Sequence, residues 1–109
     1  MDRGSLILAV LPGDIGKVRP VIVVQTNAYP NTSAIVVLPL TSDLDGIRGP
    51  RIDLAPSAEN GLRSPSRVMV DKIGIVRRIK VGQTIGRLGK DDMVRVDQAL
   101  TLFLGIGDR

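Results

Sequence analysis

A short cationic loop that runs directly into an apolar segment is the first place in this sequence where chemistry is possible. The loop, residues 13–20, carries Lys17 and Arg19, and residues 21–24 are wholly apolar. Such an apolar run is typical of a strand buried on both faces, and the ring of Pro20 stiffens the chain directly after Arg19. A guanidinium offers five donors in a planar fork that matches phosphate oxygens. These residues therefore indicate either a fixed positive charge aimed at an anion or an arginine paired with a surface carboxylate.

Two hydroxyls follow the next apolar segment. Thr41 and Ser42 come directly after residues 35–40, which form another apolar run. Hydroxyls at a strand end can hold a phosphate or a ribose hydroxyl, but the same pair is typical of a cap on the turn that begins at Asp43. Taken alone, the pattern favours the turn cap.

Two charged groups lie further along the chain. Asp71 and Lys72 follow an apolar segment, where they either orient a catalytic cation or form an exposed, screened pair worth about 0–1 kcal/mol. Arg77 and Arg78, with Lys80, form a small basic run. A run of this kind is usually a solvated face, and its alternative role is to contact a nucleic-acid backbone.

The composition narrows the possible chemistry. The 109 residues contain no cysteine and no histidine, so disulfides, thiolate metal sites and the commonest general base are excluded. We therefore expect no metal and no cofactor, and any catalysis must use Arg, Lys, Thr, Ser, Tyr or carboxylates.

At this length we expect one domain over residues 1–109. No apolar run approaches the ~18 residues of a membrane span, so we expect a cytoplasmic protein that makes no membrane contact.

The positive charge is concentrated in one half of the chain. Between Arg48 and Lys90 there are ten Lys and Arg residues against three acidic residues, whereas the remainder holds five bases and eight acids. This asymmetry favours a polyanionic partner, such as RNA or an acidic protein tail, over a merely soluble basic protein.

The apolar pattern predicts short strands followed by one helix. Strands are predicted at residues 5–11, 20–25, 34–40 and 51–54, and at residues 67–75 with an interruption at Gly74; residues 41–50 and 55–66 are predicted loops. From Met93 to Leu104 apolar residues recur at helical spacing, and Gly105 is a stop signal. Five or six strands and a terminal helix indicate a small barrel-like sheet capped by a helix.

Taken together, these segments resemble the MazF/PemK/Kid family of toxin–antitoxin ribonucleases. The resemblance is carried by GDIGKVRPVIVV at residues 13–24, VLPLTS at residues 37–42 and SRVMVDKI at residues 66–73, together with the terminal helix. It implies a mainly β (α+β) fold, a small SH3-like barrel with a C-terminal amphipathic helix, usually as a homodimer. It also implies metal-independent cleavage of single-stranded RNA at short sequences, held in check by an acidic antitoxin.

Carried over by position, the resemblance implies catalytic roles for Arg19 and Thr41. The reaction it implies is attack of the ribose 2′-hydroxyl on the adjacent phosphorus, which leaves a 2′,3′-cyclic phosphate and a 5′-hydroxyl. We expect the substrate to be bound by eight further residues around this pair: Gly16, Lys17, Pro20, Ser42, Asp71, Lys72, Arg77 and Arg78.

Three differences and alternatives bear on this interpretation. The Kid branch has an arginine two residues before the aspartate and a histidine in its first long loop; this chain has Met69 and no histidine, so the MazF-type pair is the better model. Residues 103–106 also resemble the end of CcdB, a gyrase poison of the same fold, although the gyrase-contacting tryptophan of CcdB is missing. A noncatalytic RNA-binding barrel is the remaining alternative.

Overall fold

The structure, a computed structural model, describes residues 1–45 and 50–107. Most of the regular elements are short strands, and the last element is an α-helix. In chain order the elements are β1 (Ser5–Val10), β2 (Val18–Val23), β3 (Ala34–Thr41), β4 (Arg51–Leu54), β5 (Ser66–Met69), β6 (Gly74–Arg77), β7 (Val81–Arg87) and α1 (Lys90–Leu104), with 3-10 helices at Val70–Lys72 and Arg78–Lys80.

The seven strands form one antiparallel sheet, in which six follow the order β4-β5-β3-β2-β1-β7 and β6 pairs with β3 beside this path. The long strand β3 pairs with β2 along one edge and, along the other, with β6 at its start and with β5 at its end. The strand ladder does not close, because β4 and β7 are not paired with each other. Instead, the β4–β5 connection crosses to β7, where the amide of Arg87 donates to the carbonyl of Glu59 at 3.0 Å.

The close contact between this connection and β7 depends on Gly61. Its φ of +71° lies in the left-handed region, and a Cβ atom there would lie 2.0 Å from the carbonyl oxygen of Ile85. Asn60 is buried, and its side chain accepts hydrogen bonds from the amides of Ser57 and Leu62 and donates one to the carbonyl of Ala55. The connection is therefore a hydrogen-bonded turn fixed against the sheet.

The central strands are buried on both faces, as their uninterrupted apolar sequences predict. Because successive side chains of a strand point to opposite faces, β1, β2 and β3 each supply two apolar clusters. One cluster includes Leu6, Ile22, Leu38 and Leu40 and is covered by Val96 and Leu100 of α1. The cluster on the other face includes Ile7, Ala9, Val21, Val23, Ile35, Val37 and Val76.

The predicted C-terminal helix is confirmed at both ends. Asp91 and Asp92 lie in the first turn of α1, where carboxylates favour the positive end of the helix dipole. Gly105 has a left-handed backbone, and its amide bonds back to the last turn, as a C-terminal stop signal should. In the part of the chain that the structure describes, no helix has the length and apolar character needed to cross a membrane.

The mostly antiparallel sheet with one C-terminal helix agrees with the predicted fold, and two details differ. Residues 67–75, predicted as one interrupted strand, divide into β5, a 3-10 helix and β6. Residues 81–87 were not predicted as a strand, because Gly82 and Gly86 and the polar residues between them break the apolar alternation. Of the predicted loop at residues 41–50, residues 46–49 lie outside the described residues.

Candidate functional site

Arg19 is held on a regular strand rather than on a loop. It is the second residue of β2 and pairs with Ala9 of β1, so the ladder fixes its backbone. Its side chain is 28% exposed, which leaves part of the guanidinium accessible from outside. The sequence-based prediction began this strand at residue 20 and put Arg19 in the loop before it; the strand begins at Val18, so Arg19 lies within it.

A carboxylate from the preceding loop lies against Arg19. Oδ2 of Asp14 is 2.7 Å from Nε of Arg19. Nε is nevertheless a buried donor that makes no hydrogen bond to the described residues, since the carboxylate approaches away from the line of its N–H bond. A buried donor in this state costs about 1–3 kcal/mol. The Asp14 carboxylate therefore balances the charge of the Arg19 guanidinium without accepting a hydrogen bond from Nε.

Five of the predicted site residues line one cavity of about 790 Å³. The cationic loop and the start of β2 supply one side of it, and the end of β3 supplies the hydroxyls. The five residues are Lys17, Arg19, Pro20, Thr41 and Ser42. The cavity contains the donor types that bind a phosphate, namely an ammonium, a guanidinium and two hydroxyls.

The lining of this cavity also contains apolar residues. They are Leu8 of β1, Leu40 of β3, Leu62 of the β4–β5 connection and Ile85 of β7. A cavity that combines apolar and polar lining residues suits a ligand that has flat apolar faces and polar edges.

The Thr41 hydroxyl is oriented by the turn that follows it. The amide of Asp43 donates to Oγ1 of Thr41 at 3.1 Å, and Oδ1 of Asp43 accepts from the amide of Asp45 at 3.0 Å. Because Oγ1 already accepts this bond, its own proton remains available to a ligand. The turn-cap interpretation and the ligand interpretation of Thr41 are therefore compatible.

Arg67 clamps this turn against the sheet. It lies on β5 opposite Thr41 and also opposite Asp53 of β4. Its guanidinium binds both carboxylate oxygens of Asp53, at 2.5 and 3.0 Å, and also donates to the carbonyl of Leu44. The hydrogen bond from Arg67 lowers the pKa of Asp53 below its ordinary value, and the same bond raises the pKa of Arg67. Sequence analysis did not single out Arg67.

A second cavity also borders Arg19. It measures about 320 Å³ and is lined by Arg19 and Asp14 together with Pro39, Met69 and Lys72. Lys72 thus lines this cavity but not the larger one, and Asp71 is exposed and lines neither. Gly16 adjoins Lys17 in the loop but does not line the cavities.

Arg77 and Arg78 are not brought to this site. Arg77 pairs with Ala34 at the start of β3, whereas Thr41 ends the same strand seven residues later. At about 3.3 Å per residue the two ends are roughly 23 Å apart. The guanidinium of Arg78 instead binds the carbonyl of Thr32. The structure therefore gathers Lys17, Arg19, Pro20, Thr41 and Ser42 at the larger cavity. It places Lys72 at the smaller cavity and leaves these two arginines elsewhere.

Three exposed polar residues that line the larger cavity were not named by sequence analysis. Arg63 and Ser64 come from the β4–β5 connection, and Gln83 comes from β7. No local pattern marks them, because they reach the cavity only when the connection folds across to a strand that was itself not predicted.

Comparison with known proteins shows that the chain is similar to toxins of toxin–antitoxin systems. A family model described as PemK-like, MazF-like toxin of type II toxin–antitoxin system matches residues 2–104. A probable endoribonuclease MazF of Mycolicibacterium smegmatis is 37% identical over 107 residues, which cover 97% of this chain and 98% of that protein.

Two solved structures have the same fold at lower identity. The Mycobacterium tuberculosis toxin MazF-mt6 superposes with a TM-score of 0.76 at 24% identity, covering 93% of this chain and 96% of that one. An endoribonuclease from a mycobacterial species, solved in complex with its cognate antitoxin, has a TM-score of 0.78 at 22% identity and covers 100% of this chain and 99% of that one.

Proposed function

Since the chain belongs to the family of PemK-like, MazF-like toxins of type II toxin–antitoxin systems, we propose that it is an endoribonuclease that cleaves single-stranded RNA at the larger cavity. One observation carries the proposal. Arg19 and Thr41, which are far apart in sequence, line the same cavity with Lys17 and Ser42. The relative from Mycolicibacterium smegmatis, named a probable endoribonuclease, supports the same activity.

The proposed reaction is an internal transesterification. The 2′-oxygen of a ribose attacks the adjacent phosphorus, the bond to the 5′-oxygen breaks, and the 2′-proton is lost as the 5′-oxygen gains one. The products are a 2′,3′-cyclic phosphate and a 5′-hydroxyl. Negative charge grows on the phosphoryl oxygens in the transition state, and donors already aimed at that position lower the barrier most effectively.

Arg19 is the proposed source of this stabilisation. Its backbone is fixed in the β1–β2 ladder, and the Asp14 carboxylate restricts its side chain while leaving Nε without a hydrogen bond to any described residue. Because Nε is buried, the proposed donors to the phosphoryl oxygens are the terminal nitrogens of the partly exposed guanidinium. An arginine stays protonated in proteins and is a poor proton carrier, so we assign Arg19 an electrostatic role.

Thr41 is the proposed second donor, with Ser42 beside it. The turn amide of Asp43 occupies one lone pair of the Thr41 hydroxyl, so the hydroxyl proton is directed to another acceptor. Lys17 adds a positive charge at the rim of the same cavity, where it attracts the RNA backbone.

A cognate antitoxin is the proposed regulator, because the mycobacterial endoribonuclease of the same fold was solved with one. The basic half of this chain favours an acidic partner segment.

We also propose a homodimer. The second half of α1 exposes Leu102, Phe103 and Leu104, and self-association would cover these side chains. A cytoplasmic location remains a prediction from the sequence.

Incubation of the purified protein with a long mixed-sequence RNA in EDTA tests the function. Discrete fragments that end in 2′,3′-cyclic phosphates support the proposal. Retarded but intact RNA indicates a noncatalytic RNA-binding protein. A separate reaction with DNA, gyrase and Mg²⁺ tests the remaining alternative, since gyrase-dependent DNA breaks there indicate a gyrase poison. Substitution of 2′-deoxyribose at a mapped cleavage site should abolish cleavage there, since it removes the attacking oxygen.

A further inference from the structure

We propose that Arg63 and Gln83 select a purine at a nucleotide that flanks the cleaved bond. The inference rests on the proposed function and extends it from the phosphate to the base. Both residues line the cavity that holds Arg19 and Thr41, so a base they contact belongs to a nucleotide next to the reacting phosphate.

The wall that carries these residues is held in place before any ligand binds. Arg63 follows the turn formed by Asn60 and Gly61, and Asn60 is buried and hydrogen-bonded to the chain on either side of it. Gly61 lies directly against Ile85, two residues after Gln83. A site of fixed geometry discriminates between ligands better than a mobile one, because little ordering is required on binding.

The two side chains are available to a ligand. Arg63 and Gln83 are exposed, and neither side chain hydrogen-bonds to another of the residues that the structure describes. The same cavity is also lined by the apolar residues Leu8, Leu62 and Ile85. A nucleobase in the cavity can contact these apolar side chains with its face and leave its polar edge free for Arg63 and Gln83. The sequence has only two aromatic residues, Tyr29 and Phe103, and neither lines this cavity. Without aromatic stacking, edge hydrogen bonds and apolar contacts must hold the base, and the edge hydrogen bonds select it.

The chemistry of the pair favours a purine. Arginine forms two hydrogen bonds with O6 and N7 of guanine, and glutamine forms two with N6 and N7 of adenine. Pyrimidines have no N7 acceptor. Arg63 and Gln83 can therefore each form a two-bond contact with a purine, whereas a pyrimidine lacks N7 and cannot form these particular contacts.

Cleavage of a randomised single-stranded RNA pool, followed by sequencing of the fragment ends, tests the inference. For the wild type we expect purines to be enriched at one position next to the cut. Arg63→Ala should reduce the preference for guanine there and Gln83→Ala the preference for adenine, each by about tenfold. The ratio of purine to pyrimidine sites is the quantity compared, so a general loss of rate does not hide the effect.

Matched controls separate this role from general charge or surface effects. Arg87 is an exposed arginine on the same strand as Gln83, and Gln98 is an exposed glutamine on α1; neither lines the cavity. Arg87→Ala and Gln98→Ala should keep the wild-type base distribution.

An unchanged base distribution in both Arg63→Ala and Gln83→Ala would overturn the inference while leaving RNA cleavage intact. If the wild type retains the pool without cutting it, the proposed function fails instead. The inference is then judged on the retained RNA, where equal recovery of purine-rich and pyrimidine-rich sequences refutes it.

Discussion

Replacement of Thr41 by valine removes one hydroxyl from the site and almost nothing else. Valine has nearly the same shape and favours a strand at least as well as threonine. The structure shows one hydrogen bond to the hydroxyl, which accepts from the amide of Asp43 at 3.1 Å. Its proton is left for the second, proposed bond to the phosphate.

The two losses differ in size. The bond to Asp43 lies in an exposed turn, so its removal should lower the free energy of unfolding by about 0.5–1.5 kcal/mol. That is a small part of the roughly 5–15 kcal/mol typical of a domain, and the variant should remain folded. Loss of a donor that acts on the transition state costs about 2.7–4 kcal/mol of barrier, which corresponds to a rate reduction of about 10²–10³.

The assay is single-turnover cleavage of a mapped RNA site, with urea unfolding measured in parallel. Thr84→Val is the matched control, because Thr84 is exposed on β7 and does not line the cavity. We expect the control to cleave like the wild type and Thr41→Val to cleave at least 100-fold more slowly, on the order of the donor effect above. Equal rates for the two valine variants would remove Thr41 from the mechanism.

Three other outcomes follow from the same geometry. In urea unfolding, Gly61→Ala should destabilise the protein by several kcal/mol more than Gly16→Ala. Both glycines have a positive φ, but only at Gly61 would the new Cβ lie 2.0 Å from a backbone atom, the carbonyl oxygen of Ile85. Equal losses of stability would contradict the observed contact. RNA binding by a cleavage-deficient variant should weaken with a log–log salt slope of about −2 to −3, from three or four phosphate contacts on a single strand, and a flat salt titration would contradict a backbone-binding cavity. Arg67 lowers the pKa of Asp53. The stabilising effect of the ionised Asp53 side chain is therefore present above the ordinary pKa of 3.8 and is lost as the pH falls through the lowered value. In thermal unfolding the wild type should be more stable than Asp53→Asn near neutral pH and should lose that advantage in acid.

The sequence predicts the parts of this molecule whose signals are local. The strands around Arg19 and Thr41 are continuous apolar runs, and α1 has helical spacing with a glycine stop, so both were predictable from neighbouring residues alone. Arg19 and Thr41 were singled out by residue type and by position at strand ends, and the fold does bring them to one cavity.

The remaining features arise from tertiary contacts. β7 contains two glycines and few apolar residues, and it is a strand because β1 pairs with it and the β4–β5 connection packs on it. Arg63 and Gln83 reach the cavity only through that packing. The separation of Arg77 from Arg19 depends likewise on the register of β6 with β3, which no short sequence pattern encodes.

Cleavage by Arg19→Ala in EDTA tests the central claim most directly, because it removes the guanidinium proposed to stabilise the transition state. The measurement is the single-turnover rate at one mapped site in the wild type and the variant, with the unfolding midpoint recorded for each. We expect a folded variant whose rate falls by about 10²–10³. A folded Arg19→Ala variant that cleaves at the wild-type rate would contradict the proposed mechanism.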